Sequence, residues 1–153
     1  MAKSAIKPAP TNLTSILSQP AEDAERPPVT PRGYYTCVVQ GHRFDKSSVQ
    51  QTDYVDFVLK VIEPYKNVDE DELEEFGEVR GTIINHRLYI TEKAKYRIKE
   101  FLEHCGVDLS DGKSFEQAIP EATNCEVIVQ VIHEPLQSGD GVMARVRSSA
   151  PVE

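Results

Sequence analysis

The side chains best suited to chemistry in this sequence are aromatic and basic ones, which alternate between residues 32 and 89 and recur near residue 145. Flat rings can stack on unpaired nucleobases, and lysine or arginine can contact the phosphates between them. This combination is typical of proteins that bind single-stranded nucleic acid. The aromatic candidates are Tyr34, Phe44, Tyr54 and Tyr89, and the basic candidates are Arg43, Lys46, Lys60, Arg87, Arg145 and Arg147. The alternative is structural, because aromatic residues in strands usually belong to the core or to cross-strand pairs.

Catalytic and metal-binding signatures are scarce. The sequence contains neither glycine-rich phosphate-loop pattern and no G-x-S-x-G nucleophile elbow. Its histidines, His42, His86, His104 and His133, are far apart and do not have the spacing of metal ligands. The acid-rich segment at residues 69–78, called the acidic segment below, lacks the calcium-loop pattern. We therefore expect a protein that is not an enzyme and that needs no metal or other cofactor.

The cysteines and the apolar runs bear on the cellular compartment. Cys37, Cys105 and Cys125 are odd in number and none is paired at C-x-x-C spacing, which indicates reduced, buried thiols. No run approaches the ~20 apolar residues of a membrane span, and no apolar block follows the N-terminus. These features predict a soluble protein of the cytoplasm, in a host cell if it is viral, with no membrane partner.

The charge distribution is uneven. The net charge is −8, which is unusual for a nucleic-acid binder. Seven acids and no base lie between Asp69 and Glu78, and removing those seven charges leaves −1 for the rest of the chain. A nearly neutral body can still carry a basic groove, provided that the acidic segment lies away from it.

Composition divides the chain into an arm and a domain. Residues 1–32 are rich in proline, alanine, serine and threonine, which predicts a flexible arm. Residues 33–151 form the predicted domain, with an acidic insertion at 67–79. The arm contains one apolar cluster, Leu13, Ile16 and Leu17, which either docks on a partner or a neighbouring copy or belongs to an inert tail.

Period-two alternation and β-branched runs predict five strands, over residues 34–40, 54–62, 82–90, 125–133 and 142–146. A polar loop is expected at 42–51, and Pro64 is expected to close the second strand. Helical spacing predicts a helix from the N-cap Thr91 to Gly106, with a basic outer stripe that is usually just solvated surface. A short helix is expected in the acidic segment, and a capping box predicts another turn from Ser114.

This order of elements is mostly β, with a helix between the third and fourth strands. It matches a five-stranded Greek-key barrel of the OB-fold type. An open α+β sheet with the helix on one face is the alternative, and periodicity does not separate the two.

Several segments also resemble a known family. They are Pro31–Val39, which contains Arg-Gly-Tyr-Tyr, Asp53–Val61, Phe101–Val107, Asn124–Val129 and Val146–Pro151. Over about residues 31–151 the chain resembles a family of bacteriophage proteins, long catalogued as a domain of unknown function, that look like OB-fold single-stranded-DNA-binding proteins. The resemblance implies a role in phage DNA replication or recombination, with single-stranded DNA as ligand and replication or recombination proteins as possible partners.

Two functions therefore remain open at this point. The first is a non-enzymatic single-stranded-DNA-binding protein that stacks bases on aromatic rings and contacts phosphates through lysine and arginine. The second is a structural or protein-interaction module of a phage, either a homo-oligomer formed through the arm or a virion component.

Overall fold

A computed structural model of the chain describes residues 14–23, 28–136, 139 and 141–152. Five antiparallel strands form one open sheet: β1 (Gly33–Lys46), β2 (Asp53–Lys66), β3 (Ile83–Tyr89), β4 (Glu126–Pro135) and β5 (Val142–Ala150). Their order across the sheet is β3-β2-β1-β4-β5. The prediction of a mostly β protein with five strands is therefore confirmed. No helix in the described part of the chain is long and apolar enough to cross a membrane.

Among the described residues, three short α-helices follow β2 in the chain: α1 (Glu70–Phe76), α2 (Lys95–His104) and α3 (Phe115–Ala118). The helix predicted between the third and fourth strands is α2, and it contacts both β3 and β5. Its apolar face buries Ile98, Phe101 and Leu102, as the helical spacing predicted. The ring of Phe101 lies 4.6 Å from that of Phe57 on β2, so α2 closes the core over the sheet.

The first strand is longer than predicted. Residues 42–46, expected in a loop, continue β1 and pair with the beginning of β2. Polar side chains are stable in this part of the strand because they find partners across it: Arg43 is opposite Asp56, and Lys46 is opposite Asp53. The connecting loop is therefore only residues 47–52.

Two further boundaries differ from the predictions. β2 passes through Pro64 to Lys66, because register shifts on β1 near Tyr35 accommodate a residue that cannot donate to the ladder. The side chain of Thr91 caps a turn rather than the helix, since its hydroxyl accepts from the amide of Ala94 and α2 begins at Lys95. The capping box at Ser114 is confirmed.

The acidic segment forms α1, as predicted, and is fixed at the start of β1. The backbone N–H and Nε of Arg32 donate to the Glu72 carboxylate over 2.9 and 2.8 Å. This contact lowers the pKa of Glu72 against the opposing effect of burial. Thr30 and Pro31 are buried, and the Tyr35 hydroxyl donates to the Pro31 carbonyl over 2.7 Å. The folded unit therefore includes residues 30–32, which the sequence assigned to the arm.

Gly33 makes the closest backbone approach in this region, and its φ of +148° disfavours other residues. A Cβ added there would lie 2.5 Å from Cα of Val68 and 2.9 Å from the carbonyl oxygen of Asn67. We expect Gly33→Ala to lower the free energy of unfolding by about 2 kcal/mol, as measured by urea denaturation. Gly41→Ala is the control, because a Cβ at Gly41 in the same strand meets nothing within 4 Å. Equal losses in the two variants would contradict this explanation.

Candidate nucleic-acid interface

A row of three charged residues crosses adjacent strands on the face of the sheet opposite the core. Arg43 on β1 and Arg87 on β3 both lie opposite Asp56 on β2. The Asp56 side chain is only 3% exposed, whereas both arginines are partly exposed. Arg43 Nη2 donates to Asp56 Oδ2 over 3.2 Å, and Arg87 donates through Nε and Nη2 over 3.0 and 3.3 Å. The row therefore presents two guanidinium groups held by one buried carboxylate.

Sequence reasoning did not name Asp56 among the candidate site residues. The available signal was an acid in the predicted second strand, between strands that carry basic candidates. Register alone shows that Arg43 and Arg87 flank it. Hydrogen bonding to the Asp56 carboxylate is the main cause of the raised pKa of Arg87.

The same row is supported by aromatic rings. The Arg87 guanidinium carbon lies 3.7 Å from the centre of the Tyr54 ring, a cation–π contact. Tyr54 meets the neighbouring Tyr89 edge to face, with 6.2 Å between ring centres. Tyr54 is only 5% exposed, so the prediction that its ring is open for base stacking does not hold in this structure. Tyr54 instead supports Arg87, and the exposed platform is Tyr89, which is 41% exposed.

Arg43, Asp56, Arg87 and Tyr89 line a cleft between β3 and the β4–β5 hairpin, whereas Tyr54 does not. The cleft has a volume of about 680 Å³. Exposed apolar side chains, Ile83 from β3 and Met143 from β5, lie at its two walls. The sequence did not single out either residue, because a lone exposed apolar side chain carries no functional signal. The remaining lining residues that matter for charge are Arg43, Asp56, Arg87, Glu134 and Arg145.

The other predicted cations divide into paired and unpaired ones. Nη1 of Arg145 donates to both carboxylate oxygens of Glu134, over 2.9 and 2.8 Å. Nζ of Lys46 lies 2.6 Å from Oδ1 of Asp53. Lys60 and Arg147 are exposed and form no ion pair within the part of the chain that the structure describes. None of Lys46, Lys60 and Arg147 lines the cleft, so the structure gathers only part of the predicted basic set.

Tyr34 and Phe44, the other predicted stacking residues, lie outside the cleft lining. Tyr34 is near Lys66, whose ammonium nitrogen is 5.3 Å from the ring centre. Phe44 pairs with Val55 in register and therefore belongs to the core face of β1, but it is exposed and contacts the His42 ring edge to face at 5.2 Å.

Other chemistry finds little support among the described residues. No group of three or more metal-ligating His, Cys, Asp or Glu side chains occurs there. Burial raises the pKa of the thiols of Cys37 and Cys105 to about 12, so both remain protonated and unreactive near neutral pH. Cys125 is half-buried.

Part of the apolar cluster in the arm can also be located. Residues 14–17 are helical, and Ile16 and Leu17 are both strongly exposed. Leu13 lies outside the described residues. Two of the three apolar side chains predicted to contact a partner, Ile16 and Leu17, are therefore exposed.

No protein-family model matches this sequence, and no curated protein matches it either. The fold and the site therefore describe the class of protein: an antiparallel five-stranded sheet with a cleft, at the edges of the sheet, that is lined by arginines and an exposed tyrosine.

Proposed function

We propose that the protein binds single-stranded DNA in the cleft between β3 and the β4–β5 hairpin. The observation that carries this proposal is the row of Arg43, Asp56 and Arg87, backed by Tyr54 and bordered by the exposed ring of Tyr89. Two guanidinium groups are positioned before any ligand arrives, so little entropy is lost when they contact phosphate or stack on a base.

The topology supports the finer assignment to an OB-type barrel. The order β3-β2-β1-β4 places the fourth strand beside the first, which is the Greek-key arrangement. The edge strands β3 and β5 are in contact, and α2 packs on both of them, as a nearly closed barrel requires. OB folds bind oligonucleotides on the face of strands 2 and 3, between the loops that follow strands 1 and 4. In support of this assignment, Asp56 of β2 and Arg87 and Tyr89 of β3 line the cleft.

Charge also favours an anionic ligand. Three arginines and two carboxylates line the cleft, so its lining carries a net positive charge in a protein whose net charge is −8. No residue of α1 is among the described residues that line the cleft. Asp69 and Glu72 of the acidic segment are engaged by Arg32 instead. Phosphates can therefore approach the arginines without first displacing α1.

The test is fluorescence anisotropy with labelled oligo-dT and with duplex of equal length, at about 50 and 200 mM salt. We expect the protein to bind the single strand preferentially, with an affinity that falls as salt rises. Tyr89→Ala should weaken binding about fivefold or more, because each stacked base contributes about 1–3 kcal/mol.

Tyr65→Ala is the matched control for Tyr89→Ala. Tyr65 is 43% exposed, nearly the same as Tyr89, but it does not line the cleft. Equal effects of the two substitutions would place the binding surface elsewhere. No binding to the single strand at low salt would refute the proposal.

Exposure of Ile16 and Leu17 favours a second candidate, a protein-interaction module that forms oligomers or joins a larger phage assembly through its arm. This function would stand as the main proposal if oligo-dT does not bind. If oligo-dT does bind, the result would favour the role in phage DNA replication or recombination that the sequence resemblance implies.

A further inference from the structure

The turn before α2 and the first turns of α2 form a cationic surface. Residues 91–99 contain four basic residues, Lys93, Lys95, Arg97 and Lys99, and one acid, Glu92. The net charge of this nine-residue segment is therefore +3, in contrast to the net charge of −8 of the whole chain. Lys95 pairs with Glu92, and all four basic residues are exposed. The excess of positive charge is confined to this segment, because the exposed acids Glu100 and Glu103 follow on the same helix.

This cationic surface adjoins the cleft. Tyr89, the exposed platform, is the last residue of β3, and α2 begins at Lys95. Because the chain spans at most about 3.6 Å per residue, the start of α2 lies within about 22 Å of Tyr89. α2 also contacts β3 and β5, and residues of both strands line the cleft. The ring of His86, which lines the cleft, lies 5.1 Å from the ring of Phe101 on α2, so α2 packs directly behind the cleft.

An exposed aromatic ring accompanies these charges. Tyr96 is 58% exposed, more than any other phenylalanine or tyrosine in the described part of the chain. Its hydroxyl oxygen accepts from Nε of Arg97 over 3.4 Å, a weak contact that leaves the ring face open. Tyr96 contributes nothing to the buried core, so its exposure is not explained by folding.

We propose that α2 carries a second contact for single-stranded nucleic acid, in which Tyr96 stacks on a base and Arg97, with Lys93 and Lys99, contacts the phosphates. A strand that leaves the cleft at Tyr89 continues along the exposed side of α2. This proposal rests on the proposed function and extends the site to longer ligands. Short oligonucleotides fill the cleft alone, whereas longer ones also reach α2.

The test compares labelled oligo-dT of about 5 and about 15 nucleotides, both within the range of site sizes known for OB folds. In the wild-type protein the longer oligonucleotide should bind more tightly. The double variant Tyr96→Ala/Arg97→Gln should bind the longer one about tenfold more weakly and should leave the binding of the shorter one unchanged. Its salt slope for the longer oligonucleotide should also decrease by about one.

The control variant is Tyr65→Ala/Lys113→Gln, which removes one tyrosine and one positive charge from surfaces outside the cleft and α2. It should bind both oligonucleotides like the wild type. Equal affinity of the α2 variant and the wild type for the longer oligonucleotide would overturn the inference and leave the cleft in place. Failure of the wild type to bind either oligonucleotide would overturn the proposed function and this inference together.

Discussion

Replacing both Arg43 and Arg87 with alanine lowers the free energy of unfolding by about 3 kcal/mol, because it leaves the buried carboxylate of Asp56 without a partner. The two guanidinium groups provide three hydrogen bonds to an Asp56 side chain that is only 3% exposed. A charge that has lost both water and its counter-ions is far more costly than a polar side chain that has lost one hydrogen bond. Urea denaturation at neutral pH measures this loss.

A third substitution separates the structural role of these arginines from their role in binding. Adding Asp56→Asn to the double variant removes the buried charge, so most of the lost stability should return. The triple variant should nevertheless bind oligo-dT weakly, because both guanidinium groups are still absent. If the triple variant is no more stable than the double one, the buried charge is not the cause of the loss.

Arg145→Ala serves as the matched control for stability. Arg145 makes an equally short contact with Glu134, but both side chains are substantially exposed. An exposed ion pair contributes only about 0–1 kcal/mol, so this variant should be almost as stable as the wild type. The contrast tests burial of the carboxylate rather than the number of hydrogen bonds.

The sequence predicted those elements whose structure is determined by residues close together in the chain. Period-two alternation predicted a strand over residues 82–90, and the structure has β3 at Ile83–Tyr89, with Ile84, His86 and Leu88 buried on one face. The capping box at Ser114 was equally readable, because all of its hydrogen bonds join residues within one turn.

Contacts between distant residues explain what the sequence did not reveal. The polar residues 42–46 read as a loop because the partners that hold them in a strand, Asp53 and Asp56, belong to β2. Asp56 and Arg87 are 31 residues apart, and only the sheet register brings them together. Tyr54 read as an open ring for the same reason, since the arginine that covers it comes from β3.

The candidate site was therefore predictable in composition but not in geometry. Arg43, Arg87, Tyr89 and Arg145 were all named from residue type, and the structure places them at one cleft. Lys46, Lys60 and Tyr34 were named by the same reasoning and lie outside it. Residue type reports what a side chain can do, whereas the strand order and the contact between the edge strands β3 and β5 decide which side chains lie together.

His86 makes the protein sensitive to acid. Its ring is buried on the core face of β3, opposite Phe57 and 5.1 Å from the ring of Phe101. Burial, supported by the positive charges of Arg97 and Arg145 and opposed by Asp56, lowers the pKa of His86 to about 4. In the unfolded chain the pKa of histidine is about 6.5. The unfolded state therefore takes up the proton first as the pH falls.

The sign of the effect follows from this order. The stability contributed by neutral His86 is fully present above about pH 6.5 and is lost as the pH falls towards 4. By pH 4.5 the loss should amount to about 2–3 kcal/mol. His86→Gln cannot take up this proton, so its free energy of unfolding should fall less between pH 7.5 and 4.5. Urea denaturation at the two pH values gives this fall for the wild type and for the variant. Carboxylates such as Glu72 contribute equally to both proteins, so the difference between the two falls reports His86 alone.

Binding distinguishes this acid sensitivity from a change in the cleft itself. His86 is among the residues that line the cleft, but it is only 8% exposed and lies on the core face of β3, whereas Arg87 and Tyr89 lie on the opposite face of the same strand. His86→Gln should therefore bind oligo-dT like the wild type at pH 7.5 and should retain binding to lower pH. Parallel pH dependence of stability in the two proteins would show that His86 is not the group responsible. Weaker binding by the variant at pH 7.5 would instead place the imidazole in the binding surface.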